Sequence, residues 1–354
     1  MNRNINIGVL GLGRLFEKRL NHLFLKETKR VNLVSVFDLN KKKNSKYSKI
    51  FNLQKNHSLS EFLQKKYDYV YIATESGNHY KHTILALKNG HNIILEKPPV
   101  LKIEDFNNLI KLEKKFRKKI YVVFQNRLNS SVYLFNKKID NIDPQNILNV
   151  SLNLQWSRDK KYYSDWHGKW KMDGGVLAQQ GIHYIDLLCF FFGKPIKTIA
   201  YCSNKKHKIE CEDTITALIQ FKSDIVAQVF LTTAMFNKDY EASITVSTNK
   251  KIIKIPACCL DARYAAIISS CEASAILGCV LFGFSEISFP VSHQSVGGQG
   301  REGGGSKAER KKKEFFGTCL VTFPLRHPFS SSPSAWIGLD WITARGHRVK
   351  NHNE

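Results

Sequence analysis

The sequence predicts a doubly wound parallel α/β sheet, followed by an α+β domain with a mainly antiparallel, open sheet. Short apolar runs alternate with helix-like segments over the first 125 residues, a pattern typical of a parallel sheet covered by helices. Strict alternation of apolar and polar residues begins near residue 148 and indicates strands with one wet face. A length of 354 residues fits about two domains. We therefore predict domains over 1–125 and 126–256, and an atypical tail over 257–354.

Five apolar runs predict the strands of the first domain, at 5–10, 31–37, 69–73, 93–95 and 120–124. Helix-like segments lie between them, at 14–25, after Ser58, at 80–89 and at 103–116. Ser58 and Glu61 form a capping-box pattern, which marks the start of a helix. Gly90 stands where a helix commonly ends in a left-handed residue.

The second domain begins with an alternating run over 148–156, which predicts a strand. A long helix-like segment follows at 175–192, ended by Gly193 and Pro195. Four more strand-like runs come after it, at 196–201, 214–221, 225–234 and 242–247. Their short connections favour antiparallel neighbours. Because helices cover one face of such a sheet and leave the other free, we expect a homo-oligomer formed through the second-domain sheet.

The composition changes at about residue 256. Asn and Lys become rare, while Cys, Ser, Gly and Ala become common. The segment 297–305 is glycine-rich, and 308–313 is a run of charges. We expect an irregular, low-order tail that leaves the second domain incomplete.

A formal net charge of +24 raises nucleic acid, anionic membranes and acidic substrates as partners. The lysines are nevertheless spread along the first 256 residues, and no basic stripe alternates with aromatic residues as in single-strand binders. We therefore expect no nucleic-acid partner.

Location and redox state follow from the apolar segments and the cysteines. No secretory signal opens the chain, and the apolar run 275–284 is too short to cross a bilayer. The eight cysteines show no zinc-ligand spacing, so no metal site is predicted. We expect a reduced, cytoplasmic protein without a membrane partner.

The first candidate site is Gly11-Leu-Gly13, between the first strand and the first helix. The first glycine permits a tight turn, and the second lets the backbone approach a pyrophosphate at the helix N-terminus. Asp38 ends the second strand, where a carboxylate accepts hydrogen bonds from ribose hydroxyls and repels a 2′-phosphate. The pattern predicts a Rossmann domain that binds NAD rather than NADP. The lysines at 41–43 leave a case for NADP, and an aspartate in an ordinary turn is the alternative for Asp38.

The second candidate site lies at the end of the run 93–95, where Glu96 and Lys97 are followed by two prolines that stop strand and helix alike. Ligands bind at the carboxyl ends of strands in an open parallel sheet. Lys97 is therefore a candidate to act on a ligand. The alternative is one more surface lysine in a lysine-rich chain.

Two histidine-containing segments complete the candidate set. Thr74 and His79 follow the third strand, so we expect Thr74 to contact the cofactor and His79 to point into the same crevice. A surface-loop histidine is the alternative. His183 lies four residues after Gln179, so both share one helical face. The polar Gln179 indicates that this face lines a cavity, and a core histidine is the alternative.

Together these motifs resemble the Gfo/Idh/MocA family, the relatives of glucose–fructose oxidoreductase and inositol dehydrogenase. The matching stretches follow the family's order and spacing over about residues 5–255, and they are 8–13, 73–79, Glu96-Lys-Pro98, Gln125-Asn-Arg127 and 174–183. The Glu-Lys-Pro and Gly-Ile-His elements are specific, whereas the glycine turn alone is not.

The resemblance implies an NAD(P)-dependent oxidoreductase that acts on a carbinol of a sugar, cyclitol or nucleotide-sugar between the two domains. It implies Lys97 as the catalytic lysine and His183 as its acid/base partner. With the residues above, the predicted cofactor set is Gly11, Gly13, Arg14, Leu15, Asp38, Thr74, His79, Glu96 and Gln125. The predicted substrate set is Arg127, Trp166 and Gln179. The tryptophan-rich loop 166–170 is similar to the branch that oxidises nucleotide-linked sugars for surface polysaccharides.

Three features depart from the family pattern. Phe16 replaces a small residue, Gln179 stands where many members carry Asp or Asn, and the chain after about 256 does not resemble the family's C-terminal portion. Two alternatives to an enzyme therefore stay open: a non-catalytic NAD-binding scaffold or regulator, and an aberrant gene product with a frameshifted C-terminus. Retention of Lys97 and His183 counts against a scaffold.

Overall fold

A computed structural model describes residues 4–25 and 31–256, without the side chains of Ser130 and Pro256. The strands of its first sheet are β1 (Ile5–Leu10), β2 (Val31–Phe37), β3 (Tyr69–Ile72), β4 (Asn92–Leu95) and β5 (Ile120–Val122). All pairs are parallel, and the order is β2-β1-β3-β4-β5. The predicted parallel sheet is confirmed. The strand order changes direction at β1 and β3, and the carboxyl ends of these strands are where such sheets bind ligands.

Among the described residues, five helices join these strands: α1 (Asn21–Leu25), α2 (Lys41–Ile50), α3 (Leu59–Gln64), α4 (His79–Lys88) and α5 (Ile103–Phe116). Ser58 caps α3 as predicted, because its Oγ accepts a 3.0 Å hydrogen bond from the Glu61 N–H. The sequence did not predict α2, whose lysine-rich segment has little apolar periodicity. Asn40 caps this helix by accepting from the N–H groups of Lys42 and Lys43.

The helix predicted over 14–25 contains a π turn, Phe16–Leu20, directly before α1. Phe16 is fully buried and packs edge-on against Tyr47 of α2, with 4.9 Å between ring centroids. The large side chain, at a position where the Gfo/Idh/MocA pattern has a small one, therefore fills the core beneath the sheet.

The strands of the second sheet are β6 (Ile147–Gln155), β7 (Pro195–Ser203), β8 (Thr214–Phe221), β9 (Val226–Thr232), β10 (Glu241–Thr248) and β11 (Ile252–Pro256). Their order is β11-β10-β6-β9-β8-β7, with one parallel pair, β6 and β9. The predicted mainly antiparallel sheet is confirmed.

The consecutive strands β9 and β10, which were expected to be antiparallel neighbours, are not paired with each other. β9 and β10 are consecutive in the chain, but β6 lies between them because their connection crosses the end of β6. The Trp156 N–H donates to the Thr232 carbonyl at 2.9 Å, and the Tyr240 N–H donates to the Gln155 carbonyl at 2.8 Å. Both neighbours of β6 are thereby fixed at this end.

The core of the second domain lies between this sheet and two helices, α6 (Ser130–Ile139) and α7 (Ile182–Phe192). A π turn, Leu177–Gly181, precedes α7, so the helix predicted over 175–192 is present with a local widening. The opposite face of the sheet carries exposed apolar side chains, including Ile199, Tyr201 and Leu218.

The predicted domain boundaries stay predictions. The tail predicted over 257–354 and its apolar run lie outside the described residues. In the part of the chain that the structure describes, none of the helices combines the length and apolarity needed to cross a bilayer.

Candidate active site

The turn after β1 requires Gly11, whose φ of +98° lies in the left-handed region. A Cβ atom at this position would lie 2.6 Å from the backbone carbonyl carbon of Ala73, next to the end of β3. The Gly11 N–H donates to the Phe37 carbonyl at the end of β2, at 2.9 Å. The turn is therefore fixed where three strands end.

Gly13 faces open space, because a Cβ atom built on it meets no other atom within 4 Å. The helix begins directly afterwards at Arg14 and Leu15, and the Gly13 carbonyl accepts a 2.9 Å hydrogen bond from the Glu17 N–H. First-turn N–H groups have no partner within their own helix. An unobstructed backbone before such a turn fits the pyrophosphate of NAD. The predicted cofactor contacts of Arg14 and Leu15 stay predictions.

The Asp38 carboxylate braces the glycine turn. One oxygen accepts from the Leu12 N–H and the other from the Asn40 N–H, both at 2.7 Å. Each oxygen keeps a further lone pair, so the group can still accept a ribose hydroxyl. Lys43, one of the lysines behind the NADP alternative, pairs with Glu17 at 3.2 Å. Its charge is thereby partly neutralised.

Lys97 follows β4 and reaches the second domain. Its Nζ donates a 2.8 Å hydrogen bond to the backbone carbonyl of Gln179 in the π turn before α7. Burial lowers the pKa of the Lys97 amine, opposed by the negative charges of Glu96 and Asp173. Two further N–H donors remain for a ligand. A freely solvated surface lysine would show neither the bond nor the lowered pKa.

Glu96 is fixed beside this lysine. Its Oε1 accepts a 2.6 Å hydrogen bond from the Tyr71 hydroxyl, and its Oε2 accepts the Lys97 N–H at 3.3 Å. Burial raises the pKa of Glu96, although the Tyr71 hydrogen bond and the Lys97 charge oppose that rise. The predicted role of Glu96 at the cofactor stays a prediction, and its position suits it to orient Lys97.

His183 lies in the first turn of α7, close to Lys97. Its Nδ1 is buried and has no hydrogen-bond partner among residues 4–25 and 31–256. Burial lowers the pKa of His183 well below its ordinary value, and the Lys97 charge lowers it further. A neutral imidazole with an unpaired nitrogen beside an amine can accept a proton from a bound hydroxyl.

Gln125 opens the short helical turn Gln125–Leu128 after β5. Its Oε1 is buried and, within the described part of the chain, lacks a hydrogen-bond partner. Such an orphaned acceptor fits a group that binds from outside the chain. The predicted cofactor contact of Gln125 stays a prediction that this geometry supports.

Arg127, in the same turn, is committed to an ion pair with Asp186 of α7. Its Nε donates to Oδ2 at 2.7 Å, and Nη2 donates to Oδ1, so the pair is bidentate. Asp186 is almost completely buried. The substrate contact predicted for Arg127 stays a prediction and would have to use the hydrogens outside this pair, which are the two on Nη1 and the second one on Nη2.

His79 links two loops of the first domain. Its Nδ1 lies 2.7 Å from the Pro98 carbonyl oxygen, and its Nε2 lies 3.0 Å from that of Thr74. Burial lowers the pKa of His79 to about 4, so the neutral ring donates one of these hydrogen bonds. Both ring nitrogens are engaged by loop carbonyls, and the predicted orientation of His79 into the crevice and its cofactor contact stay predictions. The Thr74 hydroxyl lies 3.0 Å from Nδ1 of His82, and its cofactor contact stays a prediction.

The side chain of Gln179 also joins the domains. Its Nε2 donates to the Ser76 hydroxyl at 2.7 Å and to the Asp173 carbonyl at 3.1 Å. Both hydrogens of the amide nitrogen therefore have partners within the protein, and the prediction that this helical face lines a cavity stays a prediction. Its predicted substrate contact stays a prediction.

The loop 156–173 brings an aromatic stack to the glycine turn. The ring of His167 lies between Trp166 and Tyr162, with centroid distances of 3.9 Å and 4.1 Å. The Arg14 guanidinium lies 5.8 Å from the centroid of the Tyr162 ring. Trp166 thus lies in a wall between the two domains, and its predicted substrate contact stays a prediction.

Asp173 is the residue of this site that the sequence analysis missed. It is 2% exposed, and its Oδ2 accepts a 2.7 Å hydrogen bond from the Gly168 N–H. Its Oδ1 has no partner among the described residues. Burial raises the pKa of Asp173 to about 7, opposed by the Gly168 hydrogen bond and by the Lys97 charge. Its place directly before the paired glycines was the available signal.

Comparisons with known proteins agree with this architecture. The model of the oxidoreductase family GFO_IDH_MocA, with an NAD-binding Rossmann fold, matches residues 5–124, and that of the GFO/IDH/MocA C-terminal domain matches residues 146–253. Oxidoreductase P35 of Formosa agariphila is 26% identical over 239 residues, which are 64% of this chain and 71% of that protein. Glucose-6-phosphate 3-dehydrogenase of Bacillus subtilis is 22% identical over 259 residues, 70% of this chain and 73% of that protein.

Among solved structures, the WlbA dehydrogenase of Bordetella pertussis, in complex with NADH and UDP-GlcNAcA, aligns with a TM-score of 0.68. The two chains are 29% identical, and the alignment covers 72% of this chain and 78% of that one. The scyllo-inositol dehydrogenase of Lactobacillus casei shares the fold, with a TM-score of 0.62 at 19% identity over 72% of this chain and 76% of that one.

Proposed function

The chain belongs to the GFO/IDH/MocA family of NAD-binding oxidoreductases, and from this we propose that it transfers a hydride between NAD and a ring carbinol of a nucleotide-linked sugar. The proposal assigns Lys97 and His183 as the catalytic residues. Surface-polysaccharide sugar synthesis is the process that such an activity would serve.

The observation behind the proposal is the position of Lys97 beside His183. Lys97 comes from the end of β4 and bonds the Gln179 carbonyl, four residues before His183 in the other domain. The Lys97 charge acts on the His183 imidazole and lowers its pKa. An amine and a neutral imidazole that face one crevice can share the oxygen of one substrate hydroxyl.

NAD, when bound, supplies the hydride acceptor. His183 removes the proton of the substrate hydroxyl, and Lys97 hydrogen-bonds the same oxygen and stabilises its developing negative charge. In the alternative assignment Lys97 is the base and His183 the hydrogen-bonding partner. The pH–rate profiles of Lys97→Arg and His183→Asn distinguish the two, because only loss of the base removes the acidic limb of the profile.

Two observations support a nucleotide-linked sugar over a free sugar or cyclitol. The WlbA dehydrogenase, at 29% identity, was solved with UDP-GlcNAcA as well as NADH. In this chain the ring of Trp166 stacks on His167 at the outer end of the aromatic stack that reaches Arg14 after the glycine turn, and an aromatic ring in that position suits a sugar or a base.

A cofactor-reduction screen tests the proposal. The protein is mixed with NAD or NADP and with nucleotide-linked uronates and amino sugars, sugar phosphates, free sugars and cyclitols, and NADH absorbance is followed. We expect turnover with a nucleotide-linked sugar and NAD. Turnover with free sugars or cyclitols alone would show that the substrate belongs to one of those classes and not to the nucleotide-linked sugars. Tight NADH binding without turnover on any compound would favour the scaffold alternative.

We further propose that the protein is a cytoplasmic homo-oligomer that associates through the open face of its second sheet. Ile199 and Leu218 pair directly across β7 and β8, and both are exposed, as is Tyr201. A contiguous apolar patch on a sheet face is typical of an interface. The cysteines that the structure describes, Cys189, Cys202 and Cys211, are free thiols, which supports a reducing compartment.

The molar mass of the full chain by light scattering tests the association. We expect an oligomer that Ile199→Asp with Leu218→Asp converts to a monomer. Leu148→Asp serves as the control, because Leu148 is an exposed apolar residue at the start of β6. A monomeric wild-type protein would contradict the proposal.

A further inference from the structure

We propose that Asp173 is the positioning residue that keeps Lys97 charged and directed at the substrate oxygen. Lys97 itself bonds a backbone carbonyl of Gln179, whose side chain carries no charge. Glu96 and Asp173 are the carboxylates whose charge acts on Lys97, and Asp173 is the one that comes from the second domain. The inference rests on the proposed hydride transfer and deepens it.

The geometry of Asp173 is fixed from three directions. Its Oδ2 accepts the Gly168 N–H at 2.7 Å, and its own N–H donates to the Lys169 carbonyl at 2.8 Å. The Gln179 amide donates to the Asp173 carbonyl at 3.1 Å. Gln179 thus contacts Lys97 through its own carbonyl and Asp173 through its side chain, so the two charged residues are held relative to each other.

The remaining carboxylate oxygen is the unexplained feature. Oδ1 of Asp173 is buried and, in the part of the chain that the structure describes, has no hydrogen-bond partner. A buried acceptor without a donor destabilises the fold, because it has lost its hydrogen bonds to water without replacing them. Such an arrangement is retained where the group has a role, and the positive charge that acts on it belongs to Lys97.

Several other groups face this pair. The Asp173 charge shifts the pKa values of five groups, which are Lys97, Tyr162, Tyr163, Cys211 and Glu212. The Asp165 charge in turn shifts the pKa of Asp173. Besides Asp173, the Glu96 charge shifts the pKa of Lys97. The Lys97 charge shifts the pKa values of Glu96, His79, His167 and His183. The carboxylates that favour a charged Lys97 are therefore Glu96 and Asp173.

This arrangement has a characteristic pH dependence. Burial raises the pKa of Asp173 to about 7, so its carboxylate becomes ionised as the pH rises through that value. Above that pH the ionised carboxylate stabilises the charged form of the Lys97 amine, and below it this stabilisation is absent. Removal of the carboxylate should therefore affect Lys97 only on the alkaline side, whereas a purely structural defect would act at every pH.

Direct titration of Lys97 tests the inference without requiring turnover. Lysine labelled with ¹³C at Cε is incorporated into the full chain, and the Lys97 resonance is identified by its absence in Lys97→Met. We expect Asp173→Asn, which keeps an acceptor for the Gly168 N–H, to move the Lys97 midpoint to lower pH. Asp159→Asn removes a charge from the same loop, keeps an acceptor for the Tyr162 N–H, and should leave the midpoint unchanged. An unchanged midpoint in Asp173→Asn would overturn the inference.

The wild-type protein gives a second readout if Asp173→Asn fails to fold. Its Lys97 resonance should show a small additional inflection near pH 7 as Asp173 ionises, and a single inflection would contradict the inference. With an active substrate, the ratio of wild-type to Asp173→Asn kcat should grow above that pH and approach one below it. A pH-independent ratio would indicate a structural role. If no substrate turns over, the proposed function fails, while the titration still decides the role of Asp173.

Discussion

Nζ of Lys97 donates a 2.8 Å hydrogen bond to the backbone carbonyl of Gln179. This bond joins the end of β4 in the parallel sheet to the π turn before α7 in the second domain. Because the amine needs a strand end from one domain and a carbonyl from the other, its position depends on how the two domains meet.

Replacement of this amine should separate catalysis from cofactor binding. We expect Lys97→Met to lower kcat by about 10²–10⁴-fold, the usual contribution of a positioned proton-transfer group. The NADH dissociation constant, measured by fluorescence, should change little. Lys111→Met is the control, because Lys111 is exposed on α5. A kcat of Lys97→Met equal to that of the control would refute the assignment.

The two glycines of the turn should respond differently to alanine. Gly11→Ala forces a Cβ atom against the Ala73 backbone at a left-handed φ, and we expect a destabilisation of about 1–3 kcal/mol. Gly13→Ala places its Cβ in open space, so stability should be retained while NADH binds more weakly.

Thermal unfolding and NADH titration of both glycine variants measure this difference. Gly90 also has a left-handed φ, but a Cβ atom built on it meets no other atom within 4 Å. Gly90→Ala therefore controls for backbone strain without a steric clash. Unchanged NADH affinity in Gly13→Ala would show that the open side of the turn does not hold the cofactor.

The buried pair of Arg127 and Asp186 should behave as a structural unit. Arg127→Met leaves the Asp186 carboxylate buried without its partner, and we expect a loss of about 3–5 kcal/mol in the free energy of unfolding. Arg127→Met combined with Asp186→Leu should recover most of that loss. Urea unfolding measures both, and equal stability of the single and double variants would argue against the ion pair.

The free energy of unfolding should also depend on pH through the protonation of the Asp173 and Glu212 carboxyl groups. Burial raises the pKa of each to about 7, above the unfolded values, so the folded protein retains protons that the unfolded chain has lost. Their contribution is present at acidic pH and is lost as the pH rises through about 7. His79 and His183, whose pKa values are lowered, act in the opposite direction, because their contribution is lost as the pH falls.

Comparison of variants isolates the carboxyl contribution. Asp173→Asn with Glu212→Gln keeps the acceptors for Gly168 and Leu177 but removes the two titrating groups. As the pH rises from about 4 to about 7, the Tm of this variant should increase relative to that of the wild type, because the variant lacks the two groups whose contribution is lost over that range. Parallel curves for the two proteins would show that these carboxyls do not titrate in that range.

Local sequence patterns predicted most of the fold. α5 has the predicted bounds because its apolar residues recur at helical spacing, and β8 has them because its residues alternate. α2, α6 and β11 were missed. α2 is rich in lysine and has little apolar periodicity, and β11 is a short strand that is fixed mainly by pairing with β10. Pairing of that kind is tertiary information.

The candidate site likewise contains residues that local sequence patterns predicted and one, Asp173, that they did not. Gly11, Asp38 and Lys97 were found because each follows a strand, and the carboxyl ends of parallel strands meet at one edge. Asp173 was missed because its burial depends on how the loop 156–173 packs against residues distant in sequence, such as Gly77, whose N–H donates to the Met172 carbonyl at 3.0 Å. No spacing rule encodes such a return.

The sequence by itself determined the fold class, the glycine turn and the types of residue at the proposed catalytic positions, because these depend on periodicity and on residues close in the chain. Only the tertiary structure decided that Lys97 is held by Gln179, that His79 bonds loop carbonyls and that Asp173 is buried and electrostatically coupled to Lys97. These relationships join segments from different parts of the chain. Burial and electrostatic coupling arise only when such segments pack together, and they set the protonation of the groups that would carry out the reaction.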